Sequence, residues 1–143
     1  LAGDIVQDPL KLEQNLIQVV SLWWGANPAS PSAATARLAP HRLSRVIDYV
    51  ETHIASQMTL QGMADVAGLS RFHFAKAFKE TTGASPYQYV RARRIARAGQ
   101  LLNGEEPLSQ VAHMTGFSSQ AHFQTSYRKA MGLTPAAYRA CRR

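Results

Sequence analysis

The chain has 143 residues, 45% of them hydrophobic and 17% charged, which suits one ordinary domain or two very small ones and excludes both a multidomain enzyme and a disordered tail. Sixteen Lys and Arg against nine Asp and Glu give a net charge of +7, which points to an anionic partner. Residues 1–70 hold four basic and six acidic side chains and residues 71–143 hold twelve and three, so the anion is expected to meet the second half.

Asp8-Pro9 has the form of an N-cap followed by proline at the first helical position, and Leu12, Leu16, Val19, Val20 and Trp23 then recur at helical spacing up to Gly25. This extra amphipathic helix, over 1–25, is expected to be the end of an N-terminal effector or dimerisation domain absent from a chain that starts at Leu1 without a Met. Its polar face has too little Lys and Arg for a membrane-surface helix. No apolar run nears the roughly 20 residues that span a bilayer, and no secretory leader is expected. A Pro-, Ala- and Ser-rich linker follows over 26–39.

Beyond the linker the pattern is helical throughout. Leu43, Val46, Ile47, Val50 and Ile54 line one face of a helix predicted from about Pro40 to Ser56. Leu60, Met63, Ala64 and Ala67 make a short helix that Gly68 ends, and Ser70 caps a third, to about Thr81, that turns Phe74 and Phe78 inward. Ser85-Pro86 opens a longer connector helix, over 86–103, that ends at Asn103-Gly104.

The pattern then repeats. At an offset of 48, Leu60, Ala64, Gly68 and Ser70 match Leu108, Ala112, Gly116 and Ser118; at an offset of 49, His73, Phe74, Gly83, Pro86 and Tyr89 match His122, Phe123, Gly132, Pro135 and Tyr138. One residue is therefore inserted, and the matches place it just before the second His-Phe pair. So many ordered identities mark one module used twice.

Each module has a small residue four before a glycine, then an apolar residue and a serine-capped helix. Two helices that cross tightly need a small side chain at the crossing and a turn residue free to take φ > 0, which is the requirement of a helix-turn-helix. The units are expected over 58–82 and 107–131, with recognition helices from about Ser70 to Thr81 and from about Ser118 to Ala130. Helix phase leaves Arg71, Phe72, Ala75, Lys76 and Lys79 outward on the first, and Ser119, Gln120, Ala121, Gln124, Thr125 and Arg128 outward on the second. Gln pairs bidentately with adenine, Lys and Arg with guanine, and Ala, Thr or Phe meets a thymine methyl. The plainer alternative is a solvated helix face; an outward Phe72 between Arg71 and Lys76 argues against it.

The connector, at about 1.5 Å per residue, is about 25 Å long, which would set the recognition helices roughly one DNA turn apart. Arg93, Arg94 and Arg97 on its broad side either meet phosphates or keep the helix soluble. The helix starts at Ser70, Ser85, Ser118 and Thr134 offer backbone N–H groups to phosphates.

The segments GLSRFHFAKAFKETTGASPYQYV and GFSSQAHFQTSYRKAMGLTPAAYR resemble the DNA-binding domain of the AraC/XylS family of bacterial transcription regulators, over about residues 40–143. The resemblance implies an all-α, homeodomain-like fold of two helix-turn-helix units. It implies binding to double-stranded promoter DNA in the bacterial cytoplasm, and usually activation through RNA polymerase. It also implies an N-terminal effector-binding or dimerisation domain, and with it a homodimer. By position, the family's base-reading residues fall on Phe72, Ala75 and Lys76, and on Gln120, Ala121, Gln124 and Thr125. Ala75 and Thr125 stand where longer polar or basic side chains often occur, so fewer direct base contacts and more reading of DNA shape are expected.

An enzyme finds little support. His41, His53, His73, His113 and His122 form no HExxH or CxxC arrangement, and no P-loop is present. His73 and His122 sit beside core phenylalanines, where packing or capping outweighs a metal site. The single Cys141 allows no internal disulfide and suits a reducing cytosol. No cofactor and no metal are expected. A non-specific architectural nucleic-acid binder remains the rival, since it shares the basic charge.

Overall fold

A computed structural model describes residues 37–143, which contain seven helices; the predicted N-terminal helix and all but the end of the predicted linker lie outside the described residues. The helices are α1 (Pro40–Thr52), α2 (Leu60–Ala67), α3 (Arg71–Thr82), α4 (Pro86–Leu101), α5 (Leu108–Met114), α6 (Gln120–Met131) and α7 (Pro135–Cys141). No strand occurs among the described residues. They fall into two compact units, and the division in sequence falls between Arg93 and Arg94, so α4 contributes to both.

In the first unit α1 starts at Pro40, whose missing N–H is no loss at the first helical position, and buries Val46 and Val50. The apolar spacing predicts a helix to Ser56, but α1 stops at Thr52. His53 leaves the helical region at φ −107° and ψ 19°, its ring Nδ1 lies 2.8 Å from the Tyr49 carbonyl, and Ser56 N–H closes the turn on the His53 carbonyl. Ile54 still packs on the core; the turn keeps the apolar phase after the helix has ended.

The turn between α2 and α3 takes the form the sequence requires. Gly68 has φ +70°, and Leu69 N–H donates to the Ala64 carbonyl at 3.0 Å, which satisfies groups that the end of α2 would orphan. Ala64 is fully buried at the crossing. Behind it Phe74 and Phe78 are both fully buried, and Phe78 meets Tyr89 of α4 edge-on, ring centroids 5.4 Å apart. α4 opens with a reciprocal cap: Gln88 N–H donates to Ser85 Oγ while Ser85 N–H donates to Gln88 Oε1. It ends at Leu101, two residues short of the predicted Asn103, because the chain closes into tight turns through Asn103 N–H on the Gln100 carbonyl and Gly104 N–H on the Leu101 carbonyl.

The second unit repeats this internal geometry. Gly116 has φ +78° and Phe117 N–H donates to the Ala112 carbonyl, again at 3.0 Å. Phe123 and Tyr127 are fully buried, and Tyr127 meets Tyr138 edge-on at 5.8 Å. Gly83 and Gly132 end α3 and α6 alike, at φ +82° and +80°, each donating its N–H to a carbonyl four residues back. The duplication seen in the sequence is thus a duplication of backbone hydrogen bonds and ring packing.

Candidate nucleic-acid interface

Burial fixes the rotation of α3 and therefore its free face. With Phe74, Ala77 and Phe78 inside, Arg71, Phe72, Lys76 and Lys79 are exposed and Ala75 is half-exposed. Phe72 keeps 73% of its surface open; its contact with the His73 ring, edge-on at 5.9 Å, leaves most of it uncovered. A ring this open costs solvation free energy in the free protein that a partner's apolar surface would recover.

The same logic sets α6. Phe123, Ser126 and Tyr127 are buried, which leaves Gln120, Ala121, Thr125 and Arg128 exposed and Gln124 half-exposed. None of the residues predicted to face outward on the two helices is buried, though Ala75 and Gln124 are only half-exposed.

The start of α6 differs from the prediction. The cap is Ser119, one residue after the expected Ser118, and its Oγ accepts the His122 N–H at 3.0 Å, so the helix begins at Gln120. In the first unit one serine has two tasks: Ser70 Oγ accepts the His73 N–H and lies 3.0 Å from Nδ1 of the same ring. In the second the tasks are divided, with Ser119 capping the backbone and Ser118 Oγ lying 3.3 Å from His122 Nδ1. The extra residue of the second module therefore sits in the turn, as Ser118, and not next to the His-Phe pair. Ser119 was predicted to face bases; its hydroxyl is engaged at the cap. Both histidines serve their helix starts, and the His122 ring also stands edge-on to Phe117 at 5.5 Å. Among the described residues no three of His, Cys, Asp and Glu gather as a metal site would require.

Along α4, Arg93 is ion-paired with Glu51 of α1, both side chains a little under half exposed. The Glu51 hydrogen bond raises the Arg93 pKa above its ordinary value, with burial acting the other way. Burial pushes the neighbouring Tyr89 phenol up, while the Arg93 charge pulls it down. Arg93 is thus already engaged within its own unit, whereas Arg97 is exposed. Arg94 is half-exposed.

The charge count by halves misses one arrangement. A cleft of about 480 Å³ runs beside α3, lined by Arg37, Leu38 and Ala39 on the approach to α1, by Arg42 in the first turn of α1 and by His73, Lys76 and Ala77 of α3, with Leu69 between them. Leu38 anchors that approach, its side chain buried and its N–H donating to Thr81 Oγ1 at 2.8 Å. Arg37 and Arg42 belong to the net-acidic half of the sequence, and only the packing of the chain across α3 brings them to Lys76. The apolar Leu38 after Arg37 is the one signal that this end of the predicted linker is ordered.

Two helix-turn-helix units that hold serine-capped helices with open polar and cationic faces define a DNA-binding protein of the helix-turn-helix class, and a helix-turn-helix domain family model matches residues 63–140. The chain is 37% identical over 100 residues to a probable transcriptional regulator, LumQ, of Photobacterium leiognathi, covering 68% of this chain and 40% of that protein. It is 30% identical over 95 residues to the multiple antibiotic resistance protein MarA of Salmonella typhimurium, covering 66% of this chain and 75% of MarA. The chain spans less than half of LumQ and of a putative AraC-like transcription regulator of Streptomyces antibioticus, 30% identical over 140 residues and covered to 46%.

Among solved structures, an AraC-type DNA-binding domain protein from Chromobacterium violaceum is similar at TM-score 0.67 and 31% identity, over 71% of this chain and 92% of that one. The DNA-binding domain of AdpA, solved in complex with a target DNA, is similar at TM-score 0.66 and 31% identity, over 69% and 90%. The chain belongs to the AraC/XylS family and carries that family's C-terminal DNA-binding domain. Among the described residues no helix is long and apolar enough to cross a membrane.

Proposed function

We propose that the chain binds specific double-stranded sequences at bacterial promoters, inserts α3 and α6 into successive major grooves, and activates transcription. The observation that carries this reading is the pair of open helix faces, built by the same caps and turns but displaying different side chains. Phe72, Ala75 and Lys76 read one box, with Arg71 beside them. Gln120, Ala121, Gln124 and Thr125 read the other, with Ser119 at its edge. Lys79, Arg97 and Arg128, together with Ser70 at the start of α3 and Ser118 in the turn before α6, meet phosphates; Arg94 joins them, and Arg93 does so when it leaves Glu51. The domain division into an N-terminal helix, a linker and a DNA-binding domain over 40–143 belongs to the same proposal. So do a contact with RNA polymerase, dimerisation through an N-terminal region, and a place in the cytoplasm at the nucleoid.

Selection of bound sequences from a random DNA pool tests the reading. The expected motif has two boxes about 10 bp apart. Gln120→Ala or Gln124→Ala should relax preference at one or two base pairs, at about 1–3 kcal/mol per lost bidentate contact. If neither variant changes the motif, α6 is not the reader. The short side chains of Ala75 and Thr125 favour a second reading, a non-specific architectural binder. A band shift that disappears in excess random DNA would establish that one instead.

A further inference from the structure

We propose that the cleft beside α3 is a phosphate site that holds one backbone phosphate and its deoxyribose from the duplex that α3 enters, an inference that rests on the DNA-binding reading above. Three cations, Arg37, Arg42 and Lys76, line the cleft and no carboxylate does. Like charges held together repel one another, and a bound anion relieves that repulsion. The geometry is fixed in advance of binding. Arg42 Nη1 donates to the Ala67 carbonyl at 2.9 Å, which pins the guanidinium at the end of α2 and leaves most of its five N–H donors for an anion. The Leu38 anchor on Thr81 holds Arg37 on the same side.

The size and lining select the ligand. About 480 Å³ lies within the range of small-molecule sites and exceeds what a bare phosphate needs. Leu38, Leu69 and Ala77 supply an apolar wall suited to a sugar face, while the cations suit its phosphate. Position ties the site to the duplex: Lys76 belongs both to the outward face of α3 and to the cleft, so a groove that receives Phe72 and Lys76 brings its own backbone to Arg37 and Arg42. Phosphate contacts of this kind set the register of a recognition helix without reading sequence.

The test uses the full chain, with fluorescence anisotropy on a selected duplex and on a random one across a salt series. Arg37→Ala, at an exposed position, should weaken binding to both duplexes by about fivefold to tenfold at low salt and lower the salt slope by about 1. It should leave the selected motif unchanged. With a neutral methylphosphonate moved along the backbone of the duplex, one linkage should weaken the unsubstituted chain and weaken the Arg37→Ala chain less, because Arg42 and Lys76 keep only part of the contact. A salt slope and a methylphosphonate sensitivity unaltered by Arg37→Ala would overturn the assignment. So would stabilisation by free pyrophosphate at matched ionic strength that Arg37→Ala abolishes while the DNA slope stays put, since the site would then serve a soluble anion. Because the slope is also read on random DNA, a failure to find any motif sinks the promoter reading while the cleft is still judged on its own.

Discussion

Tyr127 carries its hydroxyl into the core of the second unit, and it is the buried side-chain polar atom that lacks a hydrogen-bond partner among the described residues. Burial pushes its phenol well above the ordinary value of 10.0, with Tyr138 adding to the rise and Arg142 opposing it. The folded chain therefore keeps this proton where the unfolded chain releases it. Tyr127's contribution to stability is complete below about pH 10 and is lost as pH climbs from there toward the raised folded value. Tyr127→Phe should melt no lower than the unsubstituted chain at neutral pH, and about 1 kcal/mol of stabilisation is expected from removing an unpaired buried hydroxyl. Above pH 10 its melting temperature should fall less steeply. A lower melting temperature at neutral pH would reveal a partner for the hydroxyl. The sequence shows that position 127 is apolar-facing, since it matches Phe78, but not that a tyrosine there leaves its oxygen unpaired; that depends on what Tyr138 and Arg142 do. Tyr138 gives its own oxygen to Arg142, which donates from Nη1 at 2.8 Å.

At the scale of elements, the helices were legible and several of their ends were not. Apolar periodicity reports a buried face, and in α1 that face continues through Ile54 although the helix stops at Thr52. Side chains that bond locally to the backbone, as His53 does, decide such ends and carry no periodic signal. The start of α6 shows the same limit. Two adjacent serines both satisfy the composition rule for a cap, and only the backbone says that Ser119 is the one used. Ser119→Ala should cost about 0.5–2 kcal/mol, read as a drop of several degrees in a thermal melt of a domain this size. Ser118→Ala should cost less, because it loses only a bond to an exposed ring. Equal losses would mean that the two serines share the cap.

For the whole molecule the most informative feature was the internal repeat, because it gave the turn glycines, the core rings and the outward faces from one comparison. The repeat could not show that Arg37 and Arg42 line one cleft with Lys76, since both arginines belong to chain that precedes the first module. Net charge by halves pointed away from both arginines. If about four phosphates are neutralised in the complex, affinity should fall about 100-fold between 50 and 200 mM salt, following the linear dependence of log affinity on log salt. A flat dependence would contradict the charge argument for the molecule as a whole.

The helices α3 and α6, proposed to read bases, are alike in how they are held and unlike in what they show: an aromatic ring and lysine on α3, a pair of glutamines and a threonine on α6. A single chain so equipped has a polarity. Turned end for end on its site it would set each helix against bases chosen for the other, so the operator it prefers should be no palindrome. One bound copy would then distinguish upstream from downstream.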